Sequence, residues 1–186
     1  MNQDFFSRNP GTVAKKLLGR ELVHETLQEL RGRIVETEAY RGPSDPASHA
    51  STGKTDRNQP MFGRPGTAYV YVSYGIHNML NVVTGEEGEP SAVLVRAVEP
   101  VEGVERMREN RGVEEEQALC SGPGKLTDAF EVSMEHNRTD LTEGGLRIEE
   151  GEEAEEVVKD TRIGVSGGEG LELRFYVEGC RFVSRG

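Results

Sequence analysis

The chain has no tryptophan, and only five of its 22 basic residues are lysine. Without Trp, large flat aromatic surface has to come from Tyr and Phe, so a crowding of tyrosines is not explained as spare core material. The two cysteines, Cys120 and Cys180, lie far apart with no CxxC spacing. Reduced structural thiols are expected, ahead of a disulfide and, last, a zinc site. No apolar run approaches the ~20 residues of a membrane span. The N-terminus MNQDFFSRNP lacks a basic stretch followed by an apolar one, so a cytoplasmic, non-membrane protein is expected.

Net charge is −11, which on its face disfavours a nucleic-acid partner. The placement of the charges along the chain weakens that objection. Residues 1–100 carry 11 basic and 12 acidic groups, so the remaining residues hold nearly all of the excess. Between Tyr40 and Asn81 the balance reverses, with Arg41, Lys54, Arg57 and Arg64 against Asp45 and Asp56. An acidic, lysine-poor surface would suit a salt-rich cytoplasm, where screening shortens the range of repulsion from DNA. Activity that falls steeply with added KCl would count against that hypothesis.

What the chain does have is concentrated in residues 31–81, which hold Glu36 and Glu38, four of the five tyrosines and two of the four histidines. Carboxylates beside aromatic faces suit an enzyme that grips a flat heterocycle and activates water next to it.

With 23 glycines, the chain is expected to be rich in turns and strands and poor in long helices. At 186 residues it reads as one domain spanning 1–186. TVAKKLL predicts a helix over 12–18, with Thr12 as a possible N-cap and Gly19 closing it. Residues 20–40 predict two strands around a turn near Gln28 and Glu29. Residues 41–66, punctuated by Gly and Pro, predict a loop. Strands are expected at 67–73, 77–84 and 91–98, the first two joined at Tyr74–Gly75. Helices are expected near 101–110 and 123–131, and strands at 161–165 and 171–177. The fold class is α+β, a central, mostly antiparallel curved sheet with flanking helices and a protruding β-hairpin.

In RIVETEAY, strand alternation places Ile34, Glu36, Glu38 and Tyr40 on one side and Val35, Thr37 and Ala39 on the other. The first side faces either solvent or a polar cleft, because two carboxylates are costly to bury. From that segment alone the bland reading, an exposed edge of ordinary charges, is the favoured one. In the next strand Tyr69, Tyr71 and Ser73 share one side. Tyr69 there is compatible with plain sheet packing. Tyr74 is different, because a large ring at a hairpin tip buries nothing in its own domain and suits a wedge between stacked bases. Arg96, in the apolar strand AVLVRAV, calls for a carboxylate partner such as Glu38, or else reaches solvent.

The segments RGRIVETEAYRGPSDPASH, TDRNQPMFGRPGTAYVYVSYGIHNMLNVV, AVLVRAVEP, CSGPGKL, RIGVSGG and LRFYVEG together resemble the alkyladenine (3-methyladenine) DNA glycosylase family. VETEAY followed by PGTAYVY and YG is a specific combination, and the likeness covers about residues 12–183. It implies a monofunctional glycosylase of base excision repair that flips alkylated or deaminated purines out of duplex DNA and hydrolyses the N-glycosidic bond.

Matched by position, the resemblance implies Glu38 as the general base. Arg96 and the carbonyl of Ile163 would hold the attacking water with it. Tyr40, His49 and Tyr71 would sandwich the flipped base, Asn81 would exclude normal guanine, and Tyr74 would intercalate. His77 stands where vertebrate members have tyrosine. Arg57, Arg64 and Lys125 are candidate phosphate ligands, and Met61 and His77 complete the expected DNA-facing set. The expected partner is double-stranded DNA carrying damaged purines, with the enzyme a monomer needing no metal and no cofactor. Two competitors stay in view: a damage sensor without hydrolysis, and a carbohydrate hydrolase using Glu36 and Glu38 as its carboxylate pair.

Overall fold

The computed structural model describes residues 1–184 and is an α+β arrangement built on one antiparallel sheet. Two helices open the chain, α1 (Gln3–Phe6) and α2 (Pro10–Leu17). The α2 helix begins earlier than its sequence suggests. Asn9 is the N-cap, its side chain accepting from the Gly11 amide at 2.9 Å, and Pro10 takes the first turn where no N–H is needed. Thr12 therefore lies inside the helix. Gly19 follows with φ +88°, and a Cβ there would stand 1.8 Å from the Glu152 carbonyl oxygen, so only glycine fits.

Strands β1 (Glu21–Glu25) and β2 (Glu29–Tyr40) form the first hairpin. A long loop with two short 3₁₀ turns leads to β3 (Ala68–Ser73), β4 (His77–Val83) and β5 (Ala92–Glu102). Helices α3 (Val104–Arg111), α4 (Glu116–Leu119) and α5 (Pro123–Ala129) follow, then β6 (Leu146–Glu149), β7 (Val157–Asp160) and β8 (Arg174–Val177). The sheet runs β3-β4-β5-β2-β1-β6, with β8 and then β7 branching from the C-terminal half of β2. The long strand β2 is thus its spine, pairing along one edge with β5 and along the other with β1 and then β8.

Two bulges along the β2–β5 pair decide what each face carries. Ile34 pairs with Val98 and Glu36 with Ala97, which leaves Val35 without a partner; Thr37 then pairs with Val95, which leaves Arg96 without one. A bulge of this kind re-aims side chains. Strict alternation would put Ile34 on the same face as Glu36, and the structure corrects that expectation. Ile34 packs with Ala39 and Val98 in the main core, whereas Val35 joins Ala97 and Phe182 in a separate cluster on the other face. Glu36, Glu38, Tyr40 and Arg96 are left together on that second face.

The main core lies between the sheet and helices α2 and α5, and includes Val13, Leu17, Val70, Leu80, Val95 and Phe130. Thr37 faces this side and donates to the Ala14 carbonyl at 2.8 Å, which pins α2 to the spine strand. Residues 161–165 are not a strand. Their local backbone is committed to side chains instead: the Thr161 amide bonds Asp160 and the Ile163 amide bonds Glu38. Strand β7 lies just before that segment, and β6, within the acidic half, has no counterpart among the expected strands. No helix among the described residues is long and apolar enough to cross a membrane.

Candidate active site

The spine strand carries the chemistry. Glu38 is completely buried, and a carboxylate in that setting needs several donors. Its Oε1 accepts from the Ile163 amide at 2.8 Å and lies 3.3 Å from Nη1 of Arg96, while Oε2 accepts from the Tyr40 hydroxyl at 2.9 Å. Glu38, Arg96 and Ile163 therefore meet, but Ile163 does so through its amide N–H rather than through the carbonyl expected to hold the water. Arg96 is buried and paired rather than solvent-directed, and it bridges Glu38 and Glu36, with its Nε 3.3 Å from Glu36 Oε1.

Glu36 has a separate task. It accepts from Arg174 Nη1 at 3.0 Å and from the Ser184 amide at 2.8 Å, and so anchors the C-terminal segment to the spine. With these partners and no exposed surface, Glu36 does not present a second free carboxylate beside Glu38.

In front of Tyr40 opens a cavity of about 450 Å³ whose lining includes Tyr40, His49, Met61, Tyr69, Tyr71 and Asn81. Its volume falls in the range of small-molecule sites. The ring of His49 lies 4.5 Å from that of Tyr71 at 68°, and its Nδ1 is 2.8 Å from the Tyr69 hydroxyl. Burial, and then the nearby Arg57, lower the His49 pKa, so the imidazole is neutral at pH 7. Burial likewise raises Tyr40, Tyr69 and Tyr71, which keeps all three phenols protonated. The slot is therefore walled by neutral aromatics. Asn81 spends its amide protons on the carbonyls of Tyr69 and Met79, at 3.0 and 3.3 Å, and is fixed in place.

Met61, expected among the DNA-facing residues, is instead 2% exposed and packs with Ala50, Tyr69 and Val83 in the slot wall. Of the expected phosphate ligands, Arg57 stands at the cavity mouth, donating to the Val72 carbonyl at 3.0 Å with its guanidinium 5.2 Å from the Tyr71 ring. Arg64 is tied to Gln3 of α1 at 2.9 Å and is not part of the cavity lining. Lys125 is exposed in the first turn of α5. Next to it, a Cβ at Gly124 would stand 3.0 Å from the exposed His77 ring, so the base of the hairpin packs directly on the start of α5.

The β3–β4 hairpin projects an apolar tip. Tyr74 and Gly75 have φ of 50° and 76°, and the Ile76 amide donates to the Ser73 carbonyl at 3.1 Å. Positive φ at both central residues is the type I′ pattern, which suits glycine but is uncommon for tyrosine. Tyr74 is 92% and Ile76 73% exposed, so the strained ring covers nothing in this chain. Ile76 is not among the site residues expected from sequence, although an apolar residue beside Tyr74–Gly75 is a usable signal.

Sequence reasoning also misses Asp45 and Arg162, a fully buried bidentate pair at 2.6 and 2.7 Å. Burial opposes the charge of each, but their mutual hydrogen bonds outweigh it: Asp45 is lowered and Arg162 raised. The guanidinium also donates to the Ala39 carbonyl at 3.0 Å and sits 4.7 Å from the Tyr40 ring. Nothing local in sequence joins two residues so far apart in the chain.

Charge is segregated across the sheet. Acidic residues Glu21, Glu29 and Glu149 surround Arg31, and Glu25 and Glu149 bind Arg147, all at the β1–β6 end. The aromatic slot and hairpin lie toward the opposite, β3–β4 end. Among the described residues, no three His, Cys, Asp or Glu side chains are placed to hold a metal ion.

Comparison with known proteins finds relatives over nearly the whole chain. The profile of the family described as "Methylpurine-DNA glycosylase (MPG)" matches residues 4–181. A relative from Methanoculleus marisnigri is 49% identical over 187 residues, covering 97% of this chain and 96% of its own. One from Salinibacter ruber is 49% identical over 194 residues, covering 97% and 94%. One from Chlorobium phaeobacteroides is 45% identical over 188 residues, covering 99% and 94%. All three are named as candidate 3-methyladenine DNA glycosylases. The chain belongs to the methylpurine-DNA glycosylase family.

Proposed function

We propose that the protein, acting as one monomeric domain in the cytoplasm, removes alkylated or deaminated purines from duplex DNA by hydrolysis of the N-glycosidic bond. The observation that carries this reading is the buried carboxylate of Glu38, held by Tyr40, Arg96 and Ile163 directly behind an aromatic slot.

The nucleotide is everted and its base enters between Tyr40 and the pair His49 and Tyr71. Extrusion costs a few kcal/mol, least where damage has weakened pairing. Tyr74 fills the gap in the duplex, and each base–aromatic stack returns about 1–3 kcal/mol. Arg57 at the mouth and Lys125 and His77 beside the hairpin face the backbone. Fixed Asn81 stands in the wall where a guanine 2-amino group would crowd it.

Glu38 is sealed from bulk solvent, so the water it activates is one enclosed when the nucleotide seats. Arg96 and the Ile163 carbonyl orient that water, and Glu38 takes its proton. The carboxylate also stabilises positive charge developing on the sugar in an oxocarbenium-like transition state. A purine alkylated at N3 or N7 is cationic and leaves without an acid. Among the described residues no lysine lines the slot, which supports a water nucleophile and no strand-cleaving step.

The carbohydrate-hydrolase alternative loses its support in the saturated environment of Glu36. The test is incubation with duplexes bearing 3-methyladenine, 7-methylguanine, hypoxanthine or ethenoadenine. Free purine and an intact, alkali-labile strand are expected from at least one. Damaged duplex bound with no purine released from any of them would point to a sensor instead.

A further inference from the structure

We propose that Arg162, clamped by Asp45 against the hidden face of Tyr40, acts through that ring as a fixed positive charge that draws bonding electrons onto the departing base. The inference rests on the functional reading above and adds a residue that touches neither the slot nor the water.

The geometry is one-sided. Tyr40 lines the cavity, and neither Arg162 nor Asp45 does. Both charged side chains have no exposed surface, and the guanidinium carbon is 4.7 Å from the Tyr40 centroid. One ring face therefore looks at the slot and the other at a cation. The clamp is rigid: two bonds to Asp45, and a third at 3.0 Å to the carbonyl of Ala39, the residue before Tyr40.

The electrostatics give the arrangement a use. An aromatic ring is negative on both faces, and a cation on one face pulls π density toward itself. The slot-side face is then a poorer seat for a cationic alkylpurine, which also feels the guanidinium charge through the ring in a water-excluded site. In the reaction the C1′–N bond breaks with its electron pair going to the purine, while the water oxygen bonds to C1′ and a water proton passes to Glu38. The base gains one unit of negative charge relative to its bound state, so a cationic lesion departs neutral. Arg162 thus disfavours the cationic ground state and favours the transition state, in which positive charge has moved toward the sugar and Glu38.

The test is the neutral pair Asp45→Asn with Arg162→Gln, checked for folding by thermal melting. Affinity is read in the Glu38→Gln background, where lesions persist, and rates are read as single-turnover base release with Glu38 intact. The neutral pair should bind 7-methylguanine duplex about three- to ten-fold more tightly, and hypoxanthine duplex within about two-fold of the parent. Release of both bases should slow about ten-fold. Tighter binding with slower chemistry is the signature of lost ground-state destabilisation, and a merely structural role would weaken binding of both duplexes. Arg162→Lys covers the case where the neutral pair does not fold. It keeps the buried charge near Asp45 but withdraws it from the ring, and should move both readouts part of the way in the same direction. Unchanged or weaker binding of the cationic lesion, or unchanged rates, would overturn the proposal. A parent enzyme that releases neither base would instead defeat the functional reading.

Discussion

The hydroxyl of Tyr40 donates to Oε2 of Glu38 at 2.9 Å, two residues along the same strand. Parallel side chains on one strand face are thereby turned into a wall and a base that share a hydrogen bond. Replacing Tyr40 with Phe keeps the wall and removes the bond, which is worth about 1.5–3 kcal/mol for a charged acceptor. Tyr40→Phe should bind damaged duplex as tightly as the parent but release base about ten-fold more slowly. Full single-turnover rate in this variant would show that Glu38 does not depend on the phenol.

The wedge prediction separates strain from function. Tyr74 occupies a left-handed backbone conformation that glycine adopts freely. Tyr74→Gly should therefore leave the melting temperature unchanged or slightly raised. Binding to damaged duplex should weaken by about 1–3 kcal/mol, the value of one base–aromatic stack, with a smaller loss on single strands. Equal losses on both substrates would remove Tyr74 from the duplex interface.

Glu36 and Glu38 should part ways when each is neutralised. Glu36→Gln breaks a buried cluster with Arg96, Arg174 and the Ser184 amide, and removing one partner of such a cluster costs about 3–5 kcal/mol of stability. The folded fraction should keep its rate within about ten-fold, because Glu36 does not reach the reacting atoms. Urea unfolding and single-turnover kinetics on the same preparation check both halves. A stable Glu36→Gln enzyme as inactive as the Glu38 variant would revive the paired-carboxylate mechanism.

These contrasts separate what is legible in the chain from what is not. The alternation of Tyr69 and Tyr71, the hairpin turn at Tyr74–Gly75 and the basic local charge are legible because they depend on neighbours in sequence. The side on which Ile34 falls is not, because Val35 and Arg96 are each skipped in the pairing of their two strands, which resets the alternation. The start of α2 is displaced because Asn9 and Pro10 form a better terminus than Thr12. The Asp45–Arg162 clamp and the tie of Glu36 to Ser184 join residues more than a hundred positions apart, and no local pattern encodes such pairings.

A histidine relay gives the fold a pH dependence. The Ser133 amide donates to Nδ1 of His136 at 3.1 Å, so Nε2 of His136 carries its proton toward His24 Nε2, also 3.1 Å away. His24 Nδ1 then donates to the Phe130 carbonyl at 2.6 Å. Burial and then His24 lower the pKa of His136, and burial and Arg57 lower that of His49. Each therefore binds fewer protons folded than unfolded, where the value is about 6.5. The stability they provide is full above that value and is lost as pH falls through it toward the folded pKa. Urea midpoints should decline from pH 7 to pH 5, with a shallower decline in His136→Gln. An identical slope in that variant would contradict the assignment.

The role of Glu38 as the base that activates water is tested most directly by single-turnover release of 7-methylguanine from duplex DNA by the Glu38→Gln protein. Release should fall by at least about a hundred-fold, the scale of a lost general base, while affinity for the damaged duplex is retained. Release at the parent rate from a folded, DNA-bound Glu38→Gln enzyme would contradict it.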